Sequence, residues 1–260
     1  MLRFMGFGTE KVESEIARFF PGARIARMDA DTTQKKDSHE RILEKFWEQK
    51  IDILIGTQMI AKGFDFPHVT LVGVVLADVG LRLPDFRSSE RTFQLLTQFA
   101  GRAGRGIKPG RVIIQTWMPE HPSIRFAKEH DFLNFYAHEK RCREEFHYPP
   151  HRLLVNIIIR SHDEKKAYLF AREIRDNLKK ELSVRDPRTT DHEKNLEPEI
   201  EIIGPAPLPF YKLRGHFRWH VMLKIPKDLL LSPTIYSLLM SLKRPSSVAF
   251  QLDVDPLNIL

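Results

Sequence analysis

Gln98, Arg102 and Arg105 recur at spacings of four and three, which places them on or near one face of a helix. Arginine carries a permanent charge and a planar fork of donors. Two such forks among Gly101, Gly104 and Gly106 suit a cluster of anionic oxygens such as a triphosphate. The glycines have no Cβ, so a second backbone or a ligand can approach closely there. The bland alternative is a pair of solvated arginines at a helix end. Upstream, a short apolar strand from Ile51 to Ile55 stops at Gly56-Thr57, and Gln58, Lys62, Gly63 and Asp65 follow. Taken alone, that segment reads as a solvated turn.

The elements that must position these residues alternate between helix and strand. Thr9 can cap a helix whose apolar positions, Val12, Ile16, Phe19 and Phe20, trace one face before Pro21-Gly22 ends it. Ala23 to Met28 reads as a strand. Asp37 with Glu40 forms a box-like start to a second helix with Ile42, Leu43, Phe46 and Trp47 on its apolar face. Val69 to Ala77 is a near-continuous apolar run, as in a buried parallel strand. Ser88 to Gln98 is helical, and Arg111 to Trp117 is a closing strand. Alternation of this kind predicts an α/β parallel sheet with ligands at the carboxyl ends of its strands, where Gly56-Thr57 falls.

Residues 119–147 are helical and charged, and Tyr148-Pro149-Pro150 is a firm break. Beyond it, strands at Leu153 to Ile159, Glu199 to Ile203, His216 to Ile225 and Val248 to Val254 interleave with helices at Asp163 to Leu182 and Leu229 to Leu242. That order is βαββαβ. Residues 183–198 are loop-like, and Gly204-Pro205-Ala206-Pro207 ends the second strand. The expected organisation is a connector at 1–8, an α/β lobe at 9–118, a helical linker at 119–150 and a smaller α+β domain at 151–260.

The block from Gly56 to Arg105 resembles the second RecA-like lobe of superfamily 2 helicases. The strand-Gly-Thr turn and Lys-Gly-x-Asp segment match motif V, and Gln98 to Arg105 matches motif VI. The segments GTEKVE, KGFDFPHVTLVGVVLAD, GLRLPDFRSSERTFQLLTQFAGRAGR and GPAP narrow the resemblance to the primosomal protein N′ (PriA) family of replication-restart helicases. Nearly the whole chain lies along the C-terminal half of that family.

The resemblance implies an ATP-dependent 3′→5′ DNA helicase that recognises stalled or branched forks and initiates primosome assembly. It implies that Arg105 and Arg102 reach the γ-phosphate of ATP held by the first lobe, with Gln98 beside them. It places Gly63, Asp65, Gly101 and Gly104 at the nucleotide, and Thr57, Gln58 and Lys62 at DNA phosphates. It further implies Mg²⁺ shared with the first lobe, Zn²⁺ in a cysteine-rich segment that precedes Met1 in the family, and single-stranded-DNA-binding protein and primosome proteins as partners. The chain holds no Gly-x-x-x-x-Gly-Lys-Ser/Thr loop, so alone it is expected not to hydrolyse ATP. The rival expectation is a truncated, non-enzymatic DNA- or partner-binding module.

Pro209 to His220, PFYKLRGHFRWH, interleaves aromatics with Lys212, Arg214 and Arg218 and includes Trp219. Bases stack on aromatics while cations follow the backbone, as in single-strand binders. The alternative is a hairpin with its aromatics inside and its charges outside. The stretch around Asp78, Arg82, Asp85, Phe86, Arg87 and Glu90 reads either as a salt-bridged loop or as a segment coupling motifs V and VI. A formal net charge of +7 and a pI near 9.5 agree with an anionic partner. The single Cys142 excludes an internal disulfide and a cysteine-based zinc site, and fits a reducing, cytoplasmic setting. The histidines show no metal-binding spacing, so no metal ligands are expected. No apolar run reaches membrane-spanning length.

Overall fold

The structure, a computed structural model, describes residues 8–29, 38–61, 66–101, 109–183, 200–227, 232–257 and 259. The chain divides into two units: Met1–Gly80 with Glu90–Phe132, and Leu81–Ser89 with Leu133–Leu260. The division therefore falls inside the stretch read as a linker. In addition, nine residues of the first half of the sequence fold with the second unit.

In unit 1, the helix expected from the Val12–Ile16 spacing is α1 (Thr9–Phe19). Gly8 takes the cap position instead of Thr9. Thr9 is the first helical residue, and its hydroxyl donates to the Asp29 carboxylate. Phe19 and Phe20 are exposed rather than part of a buried face. Strand β1 (Ile25–Met28) runs parallel to β2 (Ile53–Gly56), with Met28 opposite Gly56. The two strands are tied at their starts by Arg24, whose guanidinium and backbone N–H both donate to Asp52. Helix α2 (Ser38–Trp47) brings Leu43 against Met28 and Phe66, while Phe46 meets Phe66 edge-on at 4.9 Å.

Strand β3 (Leu71–Val74) pairs in parallel with β4 (Arg111–Ile114). Leu71 is 58% exposed and Val75 50%, so this apolar run is not the strand buried on both faces that its composition suggests. Among the described residues β3 hydrogen-bonds only to β4, and β1 only to β2, so there are two parallel pairs and no continuous sheet. Short helix α3 (Asp78–Leu81) and then α4 (Ser88–Ala100) lie between β3 and β4 in sequence. Helix α5 (Pro122–Lys128) closes the unit, its start capped by the His121 ring accepting from the Ser123 N–H at 3.2 Å.

Unit 2 begins its main run with α6 (Phe132–Glu145), followed by β5 (Arg152–Ser161), α7 (Glu164–Ser183), β6 (Glu201–Leu213), β7 (His216–Pro226), α8 (Ser232–Ser241) and β8 (Val248–Val254). The four strands form an antiparallel sheet in the order β6-β7-β5-β8. Alternation along the strands sends Ile157, Ile159, Val221 and Leu223 to one face. There they pack against Ala167, Phe170, Ile174 and Leu178 of α7 and Ile235 and Leu239 of α8. Each such Val, Leu, Ile or Phe side chain contributes roughly 1.5–3 kcal/mol on burial, and this is the largest core among the described residues.

Strand β6 continues through Gly204-Pro205 instead of stopping there. Gly204 adopts φ +104°, and the pairing shifts register between Ile203 and Ala206, so the extra residue is absorbed as a bulge. A Cβ at Gly204 would come within 2.8 Å of the His220 carbonyl oxygen, which leaves no room for a side chain. Asp37 and the loop expected at 183–198 fall wholly or largely outside the described residues.

Two groups of unit 2 make its stability depend on pH on the acid side of neutrality. Burial opposes ionisation of Glu201, but a hydrogen bond with His147 and the charge of Lys224 outweigh it, and the carboxyl titrates below its ordinary value of 4.5. Burial, and secondarily the charge of Arg218, holds His220 below its ordinary value of 6.5. The unfolded chain binds a proton at His220 that the folded chain refuses, so stability falls as pH drops below 6.5. A second loss begins below 4.5, as protonation removes the charge that Glu201 uses in the folded state. Thermal unfolding of unit 2 followed from pH 8 to 3 is expected to show both declines. His220→Gln should flatten the upper one only, and Glu201→Gln the lower one only.

Candidate functional site

In unit 1, the parallel register sets Asp29 and Thr57 side by side, just past the carboxyl ends of β1 and β2. Gly56 is required there, because a Cβ would collide with the Met28 carbonyl oxygen and the Ile60 side chain. Thr57 and Gln58 are exposed in the turn that follows, which is a single 3-10 turn over Gln58–Ala61 with the Ile60 N–H donating to the Thr57 carbonyl at 3.1 Å. Lys62, Gly63 and Asp65 lie outside the described residues. Phe66, which follows them, is buried against Met28 and Leu43.

An acidic-basic cluster supports this edge. Asp29, 6% exposed, accepts from Thr9 and pairs with Arg27 at 3.2 Å; Arg27 also meets Glu10 at 3.1 Å and Glu13 at 3.7 Å. The cluster joins the start of α1 to the end of β1, beside the Gly56-Thr57 turn. Thr9, Glu10 and Glu13 belong to the GTEKVE segment, but nothing in its spacing points to Arg27 and Asp29, which meet them only in the fold.

Helix α4 buries Thr92, Phe93 and Leu96 and leaves Gln98 exposed near its end. Its final turn closes with the Gly101 N–H donating to the Thr97 carbonyl at 3.0 Å. Arg102, Gly104 and Arg105 lie outside the described residues. Ahead of α4, Asp78 is 2% exposed and accepts from the Thr116 hydroxyl at 2.6 Å and the Trp117 N–H at 3.0 Å, which fixes α3 to the chain leaving β4.

In unit 2, the segment from Pro209 to His220 forms the β6–β7 hairpin, turned at Arg214 (φ 49°) and Gly215 (φ 81°). Positive φ at both positions is what a tight two-residue turn needs. The segment does not present one surface. Trp219 packs at the edge of the core on the helix side, 4.9 Å from Tyr168 and 6.0 Å from Tyr211, while Lys212 reaches over Phe217 at 4.7 Å. Tyr168 and Trp219 with Asp163, Glu164 and Lys165 line an open depression of about 520 Å³. The Tyr211 hydroxyl donates to the Glu164 carboxylate, which pushes its pKa up to about 12. Arg214 is exposed at the hairpin tip.

Arg218 points to the other side of the sheet and is only 9% exposed, directly across from Arg160 on β5. Beside it, His220 Nδ1 meets Asn156 Oδ1 at 2.9 Å. Thus Lys212 and Trp219 lie on the helix side of the hairpin and Arg214 at its tip, while Arg218 faces the opposite side of the sheet. The expectation of charges outside fails at Arg218, because strand alternation turns its stem inward.

The segment containing Asp85, Phe86 and Arg87 is held by residues far from it in sequence. The Phe86 ring stacks on Tyr148 at 5.1 Å and 7° and packs against Leu154, Met222 and Ile259. Asp85 accepts from the backbone N–H of Arg87 at 2.9 Å and of Ile259 at 3.4 Å, and Arg87 donates to the Leu257 carbonyl at 3.0 Å.

Two family profiles match the chain in sequence order. "Helicase conserved C-terminal domain", a RecA-like fold, covers residues 4–106, and "Primosomal protein N C-terminal domain" covers residues 144–257. The chain is 43% identical over 258 residues to the Bacillus subtilis replication restart protein PriA, covering 98% of the chain and 30% of that protein. It is 39% identical to the Synechocystis protein of the same name, covering 99% of the chain and 29% of the relative. Against the Chlamydia pneumoniae protein, identity is 38%, with 99% and 32% covered. The chain thus spans about a third of the length of these relatives.

Proposed function

The chain belongs to the replication restart protein PriA family, matching its C-terminal part, and from that premise we propose that it supplies the second helicase lobe and the C-terminal domain of an ATP-dependent 3′→5′ DNA helicase that recognises stalled or branched forks and starts primosome assembly. The observation that carries this reading is the match over 98% of the chain to a protein of that name, with a helicase profile and a primosomal profile in that order.

The roles follow from placement and chemistry. Thr57 and Gln58, exposed past the end of β2, are suited to DNA phosphates, with Lys62 as the cation of that segment. Gly63, Asp65, Gly101 and Gly104 face the nucleotide, and Gln98, Arg102 and Arg105 meet the γ-phosphate from the side opposite the first lobe. The exposure of Gln98 near the end of α4 leaves it accessible to such a ligand. ATP supplies the scissile phosphoanhydride and Mg²⁺ neutralises its charge; both are shared with an ATP-binding lobe. Among the described residues no three His, Cys, Asp or Glu side chains converge, and the sequence has one cysteine.

Unit 1 is read as one RecA-like lobe and unit 2 as a βαββαβ domain that holds forked or single-stranded DNA through Lys212, Arg214, Trp219 and Arg218. Single-stranded-DNA-binding protein and primosome proteins are its protein partners. A replication setting in the cytoplasm follows from that role. Among the described residues no helix is long and apolar enough to cross a membrane.

Titration of the chain with forked DNA at two salt concentrations tests the reading. Affinity is expected to fall as salt rises, through counterion release. Lys212→Ala and Arg214→Ala should each lower the slope of log affinity against log salt by about 1. Salt-independent binding, or no binding by the wild-type chain, would sink the proposal for unit 2.

A further inference from the structure

The nine residues 81–89 leave unit 1 after Gly80, fold entirely with unit 2, and return at Glu90. Both flanks are helices that cross this division. Helix α3 begins in unit 1, where Asp78 is held by Thr116 and Trp117, and ends at Leu81 in unit 2. Helix α4 begins at Ser88 in unit 2 and continues from Glu90 to Ala100 in unit 1. The segment between them is pinned by mixed chemistry. Phe86 lies on Tyr148, with the Arg87 guanidinium 4.9 Å and the Arg143 guanidinium 5.2 Å from its ring. Asp85 and Arg87 hold the chain at Ile259 and Leu257. Tyr148 is itself fixed from its other neighbours: the Lys224 ammonium sits 4.1 Å from its ring and donates to the Phe146 carbonyl at 2.5 Å.

A surface loop would carry none of this burial. The arrangement instead anchors the start of a stiff helix in one unit while its end, with Gln98, belongs to the other. From Ser88 to Gln98 the helix rises about 15 Å without a break. A change in how unit 2 holds Phe86 therefore reaches the first turn of α4 through continuous backbone.

We propose that residues 81–89 are a coupling strap in which Phe86, Asp85 and Arg87 act as positioning residues for α4, so that what unit 2 binds is felt at the helix leading into the arginine segment. What the strap transmits rests on the proposed DNA reading; that it transmits rests on the contacts alone. The coupling is the two-state kind that must be shown by linked changes at separate places.

Amide hydrogen exchange on the whole chain tests it. Tyr148→Ala removes the stacking partner without touching residues 78–100. Exchange along Glu90–Leu96 is expected to speed up on the order of tenfold, while the Ile157 and Leu223 amides of the β5–β7 core stay at wild-type rates. Tyr148→Phe keeps the ring and should restore the α4 rates. Forked DNA should alter α4 exchange in the wild-type chain and in Tyr148→Phe, but not in Tyr148→Ala. The strap is overturned if α4 exchange, and its response to DNA, are the same in Tyr148→Ala as in wild type. Should Tyr148→Ala loosen the β5–β7 core as well, Phe86→Leu decides: it keeps apolar burial and loses the stack, and faster α4 exchange supports the strap while unchanged exchange ends it. If the wild-type chain fails to bind forked DNA, the functional proposal for unit 2 falls. The exchange rates of the free chains then decide the strap on their own.

Discussion

In a helicase that carries these 260 residues behind an ATP-binding lobe, Arg105→Ala is expected to cut DNA-stimulated ATP hydrolysis by about 10³-fold or more and to leave affinity for forked DNA largely intact. The reasoning is electrostatic. Phosphoryl transfer spreads negative charge over oxygens that a fixed guanidinium can meet in a water-poor cleft, and arginine loses neither its charge nor its fork geometry there. Lysine at position 105 keeps the charge and loses the fork, so Arg105→Lys should recover only part of the rate. Arg102→Ala is the companion experiment, and a larger loss there would exchange the roles of the two arginines. Steady-state hydrolysis with and without forked DNA, measured beside a binding titration, checks both. Parallel loss of binding and hydrolysis would mean that Arg105 holds the lobe together and does not touch phosphate.

A stability effect of comparable weight is expected at Asp78. Its carboxylate is 2% exposed and accepts from the Thr116 hydroxyl and the Trp117 N–H. Hydrogen bonds to a charged group contribute roughly 1.5–3 kcal/mol each, and Asp78→Ala leaves both donors without that acceptor. Unit 1 should lose about 3 kcal/mol or more in urea unfolding, with unit 2 little changed. Asp78→Asn retains one acceptor oxygen and should cost about half as much. Thr116→Val removes one donor, and the double variant should cost less than the sum of the two single effects. A change under about 1 kcal/mol for Asp78→Ala would show that the two bonds are replaced by water without penalty. Because α3 feeds directly into the strap, the same variant should also speed amide exchange in the first turn of α4.

Much of the local structure was legible in the amino-acid order. The alternation in Val248–Val254 and the serines opening Ser88–Ala100 mark those elements where they form, and Leu153 to Ile159 lies within β5. These signals are local: side-chain period and start and stop residues act within a few positions of each other. The family resemblance was legible for a related reason. Glycines and arginines at fixed spacing in one short block carry the resemblance, and no long-range contact is needed to read them.

Other features were decided by partners far away in sequence. Gly204-Pro205 looks like a stop, yet β6 continues because β7 supplies a register shift that takes up the bulge. Val69 to Ala77 looks doubly buried, yet Leu71 and Val75 are exposed, since burial depends on which neighbours cover a strand and not on its composition. Arg218 and Trp219 are adjacent in a segment that reads as one binding stripe, but the pleat sends them to opposite faces of the sheet. Phe86 offered no local sign of its position, because the residues that hold it are Tyr148, Leu154, Met222 and Ile259. Amino-acid order by itself determined the family and most of the elements. Tertiary structure decided which side chains share a surface and that residues 81–89 belong to unit 2, because those outcomes come from packing between residues that no local period connects.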